Sequence, residues 1–159
     1  MDILDEEILA LWKKFHELGL RYIMVGGFAT NLHGHQRTTG DVDIWIEDSV
    51  ENRKKLRKAL SELEIGDFDQ IERIDFIPGW STIRLNSGLE LDIMTFLKGF
   101  DQTSFDSCLT IASTAEIENI PVRFLHINHL IEEKKLLARE KDISDVVALE
   151  KIRNLTNLS

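Results

Sequence analysis

With 159 residues, 43% of them hydrophobic, the chain is long enough for one domain with a real core and too short for two comfortable ones. A net charge of -9 argues against tight binding to a nucleic-acid backbone, although a local basic patch can persist within an acidic protein, so small molecules are the expected partners. One cysteine, Cys108, excludes an intramolecular disulfide, no apolar run approaches the roughly 18 residues of a membrane span, and the start Met1-Asp2-Ile3-Leu4-Asp5 lacks the basic and apolar regions of a secretory signal. The expectation is a single cytoplasmic domain over 1–159, with a core at about 20–126 and closing helices at about 127–154.

The elements read as an α/β alternation. Ile8, Leu9, Leu11, Trp12, Phe15 and Leu18 recur at helical spacing over 5–18, and Gly19 follows as a stop signal. Residues 21–25 form a short buried strand, which Gly26-Gly27 turns into a short helix running through His33 and ended by Gly34. The second strand is 42–47, and a surface helix at 50–64 carries Leu56, Ala59, Leu60 and Leu63 among Lys and Glu. Strands are expected near 70–77, at 81–85 and at 89–96, the last two joined as a hairpin across Asn86-Ser87-Gly88. Residues 99–108 read as loop. A strand pair is expected at 109–117 and 121–126, with Pro121 indicating an edge position because proline cannot donate to a ladder. Helices at about 127–139 and 142–154 finish the chain.

Chemistry concentrates on carboxylates carried by strands. Side chains alternate along a strand, so Asp41 and Asp43 point to one side, roughly 7 Å apart at Cα, while Val42, Ile44 and Ile46 point to the other. Asp92 sits in a second apolar strand, with Leu91 and Ile93 facing the opposite way. Burying ionised carboxylates side by side is costly unless something positive lies between them, and a divalent cation such as Mg²⁺ is the economical answer. The alternative is that each Asp merely ends a strand or begins a turn. Gly26-Gly27 lies between a strand and a helix start, where backbone N–H groups can approach an anion and phosphate is the natural guest, although a tight turn also needs glycine for steric reasons alone.

These residues resemble a known family. Gly26-Gly27, the spacer Phe28 to Gly40, and Asp41-Val42-Asp43-Ile44 look like the signature of the DNA polymerase beta-like nucleotidyltransferase superfamily. Arg37-Thr38-Thr39-Gly40-Asp41-Val42-Asp43 is similar to the minimal, AbiEii toxin-like branch, with its Arg-x-Thr-x-Asp-x-Asp arrangement. Glu132-Glu133-Lys134-Lys135 and Lys141-Asp142-Ile143-Ser144-Asp145 look like that branch's closing helices, with a lysine and then a Lys/Arg-Asp-x-x-Asp motif. The resemblance touches 22–46, 89–95 and 127–150, and nothing in 66–80 or 99–125 takes part. Position 27 departs from it, with glycine where many members have serine.

The resemblance implies a mixed-sheet nucleotidyltransferase fold and transfer of a nucleoside monophosphate from a nucleoside triphosphate to an acceptor hydroxyl, with release of pyrophosphate. It implies that Asp41 and Asp43 hold two Mg²⁺ or Mn²⁺ ions, that Asp92 serves the ion on the nucleophile side and helps deprotonate the acceptor, and that Gly26, Gly27, Arg37, Thr39, Lys135 and Asp145 serve the nucleotide. The acceptor is a small molecule, a protein or an RNA end. A toxin paired with an antitoxin partner and a non-catalytic nucleotide-binding module are the other classes. Several residues keep simpler readings beside these. Arg37 can instead pair with a carboxylate, Lys135 can be an exposed helix lysine, and Asp142 and Asp145 have the spacing of an N-cap and a capping box. His33, His35, His126 and His129 lack partners at metal-ligand spacing and read as loop or helix-entry residues. Trp45 shares the face of Asp41 and Asp43, where it either walls the pocket or packs on a helix.

Overall fold

Local signals account for most element boundaries across residues 5–73 and 80–157, which the computed structural model describes. The first helix, α1 (Glu6–Leu18), begins where Asp5 accepts a hydrogen bond from the Glu7 amide, and it ends at Gly19 in the left-handed conformation with φ 68. Then follow β1 (Tyr22–Val25), α2 (Gly26–Leu32), β2 (Asp41–Ile46), α3 (Val50–Glu62), α4 (Gln70–Arg73), β3 (Trp80–Arg84) and β4 (Glu90–Met94). The remainder is α5 (Gln102–Ile111), β5 (Ser113–Ile117), β6 (Ile120–Phe124), α6 (Ile127–Leu137) and α7 (Glu140–Asn157). Among the described residues no helix is long and apolar enough to cross a membrane.

Among the described residues six strands make one mixed sheet in the order β3-β4-β2-β1-β6-β5, so the fold is α/β with helices packed on a central sheet. The register positions everything that matters for the site. Antiparallel pairing of β1 with β2 sets Val25 opposite Asp43, and parallel pairing of β2 with β4 sets Asp43 opposite Asp92 and Asp41 opposite Glu90. Because cross-strand partners share a face, Asp41, Asp43, Trp45, Glu90 and Asp92 all project from the same side. On the other side Tyr22 stacks against Trp12 of α1 at 5.7 Å and meets Phe15 edge-on at 5.2 Å. The polar face is closed at one end by α5, where Phe105 meets Trp45 edge-on at 5.0 Å.

Four expectations are revised. Residues 102–111 form α5 rather than loop, and the helix displaces the start of the expected strand at 109–117 to Ser113. Its start is a capping box between Asp101 and Ser104, with serine where the more recognisable pattern has Glu or Gln. Residues 70–73 are a single helical turn around buried Ile71, while 74–77 of the strand expected there lie outside the described residues. β6 is an interior strand, flanked by β1 and β5. It accommodates Pro121 because its pairing with β1 is registered at Met24 and Phe124, three residues away from the ring. Finally, α7 begins at Glu140 rather than 142, which places Asp142 inside the first turn instead of at the cap.

Candidate active site

The site is built where β1 ends and β2 begins. Gly26 carries φ +71, and a Cβ on it would lie 2.0 Å from Oδ2 of Asp43. The residue is glycine for two reasons at once, since the left-handed backbone penalises a side chain and the space is already filled by the carboxylate. Gly27 faces a different obstruction, because its Cβ would lie 2.4 Å from the Thr39 hydroxyl and 2.7 Å from the Thr39 Cβ. Thr39 therefore occupies the volume that a serine at 27 would need. The departure from the Gly-Ser pattern and the presence of Thr39 are one packing solution.

Asp43 and Asp92 lie within hydrogen-bonding reach of each other across the β2–β4 ladder, and Asp92 also accepts a 2.6 Å bond from the Thr82 hydroxyl on β3. Burial, followed by the adjoining Asp92 and then Asp41 and Glu133, pushes the Asp43 carboxyl up to about 8. Two carboxylates this close favour holding one proton between them. Asp41 is less enclosed, and its carboxyl is raised by burial, then by Asp92 and Glu90, with Lys141 acting in the opposite sense. Of the three aspartates expected here, the fold thus brings two into contact and leaves the third on the same face beside them.

A second buried acidic centre lies on α7. Asp145, 1% exposed, accepts from Nε and Nη2 of Arg37 at 2.9 and 3.0 Å and from Nζ of Lys134 at 2.9 Å, with His35 Nε2 at 3.5 Å. Asp142, fully buried, accepts from the Arg139 amide at 3.2 Å and from its guanidinium at 2.6 Å, and Lys134 approaches to 3.7 Å. Arg139 and Lys134 hold the Asp142 carboxyl below the usual range despite its desolvation. Asp142 therefore reaches back to the amide ahead of the helix, while Asp145 clamps the Arg37 loop rather than capping anything. Arg37 is committed to a carboxylate.

The lysine of this centre is Lys134, 3% exposed, and not Lys135, which stands 58% exposed and pairs with Glu150 at 2.9 Å. Helix phase explains the shift: Lys134 follows buried Leu130 and Ile131 by four and three residues and so shares their inward face. Among the histidines, His33 bonds the Leu125 carbonyl at 2.7 Å and packs on Phe124, and His126 caps α6 by accepting from the Asn128 amide. Trp45 is fully buried against Phe105, so it packs on a helix and does not wall the pocket. Glu90 and Thr82 belong to the neighbourhood but carry no sequence motif of their own, whereas Glu133, Lys134 and Lys141 lie within the closing segments without having been singled out. The strand register is what reveals Glu90 and Thr82, and helix phase would have found Lys134.

No family model matches the sequence, and no curated protein sequence matches it either. Solved structures do match. The lincomycin-bound lincosamide antibiotic adenylyltransferase LnuA superposes with a TM-score of 0.60 at 16% identity, over 93% of this chain and 97% of that one. A candidate nucleotidyltransferase from Thermotoga maritima gives 0.57 at 13% identity, over 96% and 91% of the two chains. An antigenic nucleotidyltransferase-like protein from Paracoccidioides brasiliensis gives 0.54 at 21% identity, over 90% and 72%. The chain has the nucleotidyltransferase fold.

Within this nucleotidyltransferase fold, the donor chemistry at Asp43 and Asp92 fits a divalent cation. Both are hard oxygen ligands, and the proton that Asp43 retains up to about pH 8 is what a cation would replace. The pair is anionic and incompletely ligating by itself: among the described residues, no group of three or more His, Cys, Asp or Glu side chains is arranged to hold a metal ion. Two carboxylates are compatible with Mg²⁺, which keeps several waters of its own when bound by one or two carboxylates.

Proposed function

We propose that this chain is a metal-dependent nucleotidyltransferase that moves a nucleoside monophosphate from a nucleoside triphosphate onto a hydroxyl of a small-molecule acceptor. The observation that carries the reading is the unneutralised Asp43–Asp92 pair, held against Gly26 on two adjacent strands of a nucleotidyltransferase fold. Bound Mg²⁺ or Mn²⁺, one or two ions, would neutralise the triphosphate oxygens and the charge that develops on the leaving pyrophosphate. Asp43 and Asp92 would hold the first ion, and Asp41, on the same face, would complete the set for a second.

The chain's own contribution is positioning. Gly26 lets Asp43 come close to the β1–α2 turn, and Gly27 keeps its N–H uncovered by a side chain of its own, so that the triphosphate can lie against backbone. Thr39, packed on Gly27, offers a hydroxyl at the same spot. Asp145 acts through Arg37, fixing the loop that carries Thr39 and leads into Asp41. With these groups preset, in-line attack of the acceptor oxygen at the α-phosphorus forms the new P–O bond as the bond to pyrophosphate breaks.

A small acceptor is favoured over RNA by the net charge of -9, which opposes a polyanion. LnuA, whose acceptor is a lincosamide antibiotic, shares the fold over nearly its whole length and points the same way. The toxin reading, with an RNA or protein acceptor and an antitoxin partner, is separated by the same assay. Each α-labelled ribonucleoside triphosphate is incubated with the protein, Mg²⁺ or Mn²⁺, and either a lincosamide and aminoglycoside panel or cell extract. Label in a small-molecule product is expected; label in tRNA or protein would support the toxin reading, and no metal-dependent transfer from any nucleotide would defeat both.

A further inference from the structure

Glu133 stands out among the buried charges of this molecule. It is 8% exposed, lies on α6, and makes no hydrogen bond or ion pair among the described residues. Carboxylates that serve a fold are paired when buried, as Asp142 and Asp145 are here, because an unpartnered one retains its full desolvation cost. Its neighbour Lys134 is already engaged by Asp145 and Asp142, and Arg139 by Asp142.

The packing of α6 sets which part of the sheet Glu133 lies over. His129, one turn earlier, meets Phe100 edge-on at 5.3 Å, and Phe100 lies 6.2 Å from Trp45. Trp45 is two residues from Asp43 on the same face of β2. At the other end Arg37, which leads into β2, is held by Asp145, and Asp145 also binds Lys134, so α6 runs antiparallel to β2 and Glu133, beside Lys134, lies toward the Asp43 end of that strand. Consistent with that placement, the Glu133 charge acts on both Asp43 and Arg139. The groups that act on Glu133 in turn are Lys134, Asp142 and Arg139, and burial outweighs them all.

We propose that Glu133 is the catalytic residue that receives the proton of the acceptor hydroxyl in the transfer reaction, an assignment that rests on the nucleotidyltransferase reading above. As the acceptor oxygen forms its bond to the α-phosphorus, its O–H bond breaks and the proton passes to Glu133. The electron pair of the cleaved P–O bond leaves with pyrophosphate. Asp92, bonded to Thr82 and Asp43, is then left to hold the metal ion rather than serving as the base. The acceptor would approach between α6 and the exposed side of the Asp41–Asp43 strand end.

The test compares wild type with Glu133→Gln and Glu133→Ala, using labelled nucleotide transfer, calorimetric titration with Mg²⁺ and a non-hydrolysable triphosphate, and thermal unfolding. Glu133→Gln is expected to lower kcat about 100-fold or more, with Mg²⁺–triphosphate affinity within about threefold of wild type and an unchanged or higher unfolding temperature. Glu133→Ala is expected to regain part of its rate in added formate, an external carboxylate able to take the proton. Transfer by Glu133→Gln within about threefold of wild type would overturn the assignment, as would loss of Mg²⁺–triphosphate binding, which would make Glu133 a ligand of the metal instead. A loss of rate explained by lowered unfolding temperature, with no formate rescue in Glu133→Ala, would also overturn it by making the role structural. If wild type itself binds and transfers no nucleotide, the nucleotidyltransferase reading fails first and takes this one with it.

Discussion

Among the described residues two pairs of neighbouring aspartates, one on strands and one on α7, are treated in opposite ways. Asp142 and Asp145 on α7 are surrounded by Arg139, Lys134 and Arg37, and Asp142 titrates below the usual carboxylate range. Asp43 and Asp92, on β2 and β4, share only a hydroxyl donor and each other, and Asp43 is pushed up to about 8. Residue type is the same in both places, although Asp43 is half-buried and Asp142 and Asp145 are fully enclosed. The difference is whether the fold supplies the neutralising charge.

The largest effect is expected from breaking the balanced pair. Asp145→Ala leaves Lys134 buried with a weakened partner and frees Arg37, so stability should fall by about 3–5 kcal/mol in urea unfolding. The converse change, Asp43→Asn, should leave the fold intact or more stable at pH 8 while lowering nucleotidyl transfer by about 100- to 1000-fold, or about 3–4 kcal/mol of transition-state stabilisation. Wild-type activity in Asp43→Asn would remove the functional half of the comparison.

A smaller effect separates the pairs by pH. The folded-state pKa values of Asp43, about 8, and Glu133, about 7, are raised above their unfolded values, so the folded state binds extra protons. Their stabilising contribution is complete below the unfolded carboxylate range and is lost as pH rises through the folded values. Chelator-treated protein should therefore lose stability between pH 6.5 and 8.5, at no more than about 1.4 kcal/mol per pH unit for each group. That window avoids the opposite trend from His33 and His129, whose lowered values act below about pH 6.5. Denaturation midpoints across the window should flatten in Asp43→Asn and in millimolar Mg²⁺. Asp142, depressed rather than raised, contributes only to acid unfolding at lower pH. The smallest effect should come from Lys135→Ala, whose exposed partner Glu150 makes a surface pair worth less than about 0.5 kcal/mol, with no change in nucleotide affinity.

Much of the fold was legible because its signals are local. The α1 stripe from Ile8 to Phe15 with Gly19 behind it, the alternation around Asp41 and Asp43, and the Asn86-Ser87-Gly88 hairpin all depend on neighbours within a few residues. The errors fell where a local signal was weak or misleading. The α5 start hid behind a Ser104 capping box, and Pro121 suggested an edge because the sequence does not say which strand lies beside it. The same division runs through the site. Gly26, Gly27, Asp41, Asp43 and Asp92 stand in a residue pattern that the sequence shows directly, whereas only helix phase separates buried Lys134 from exposed Lys135.

By itself, the sequence determined which carboxylates lie on which face of their strands, since alternation is set by backbone geometry and needs no partner. Only the tertiary structure decided which of them are neutralised. That depends on Arg37 reaching Asp145 across 108 positions of chain and on β2 and β4 pairing Asp43 with Asp92. Charge balance in a protein interior is a property of distances between segments, and those distances exist only once the sheet and the closing helices have come together.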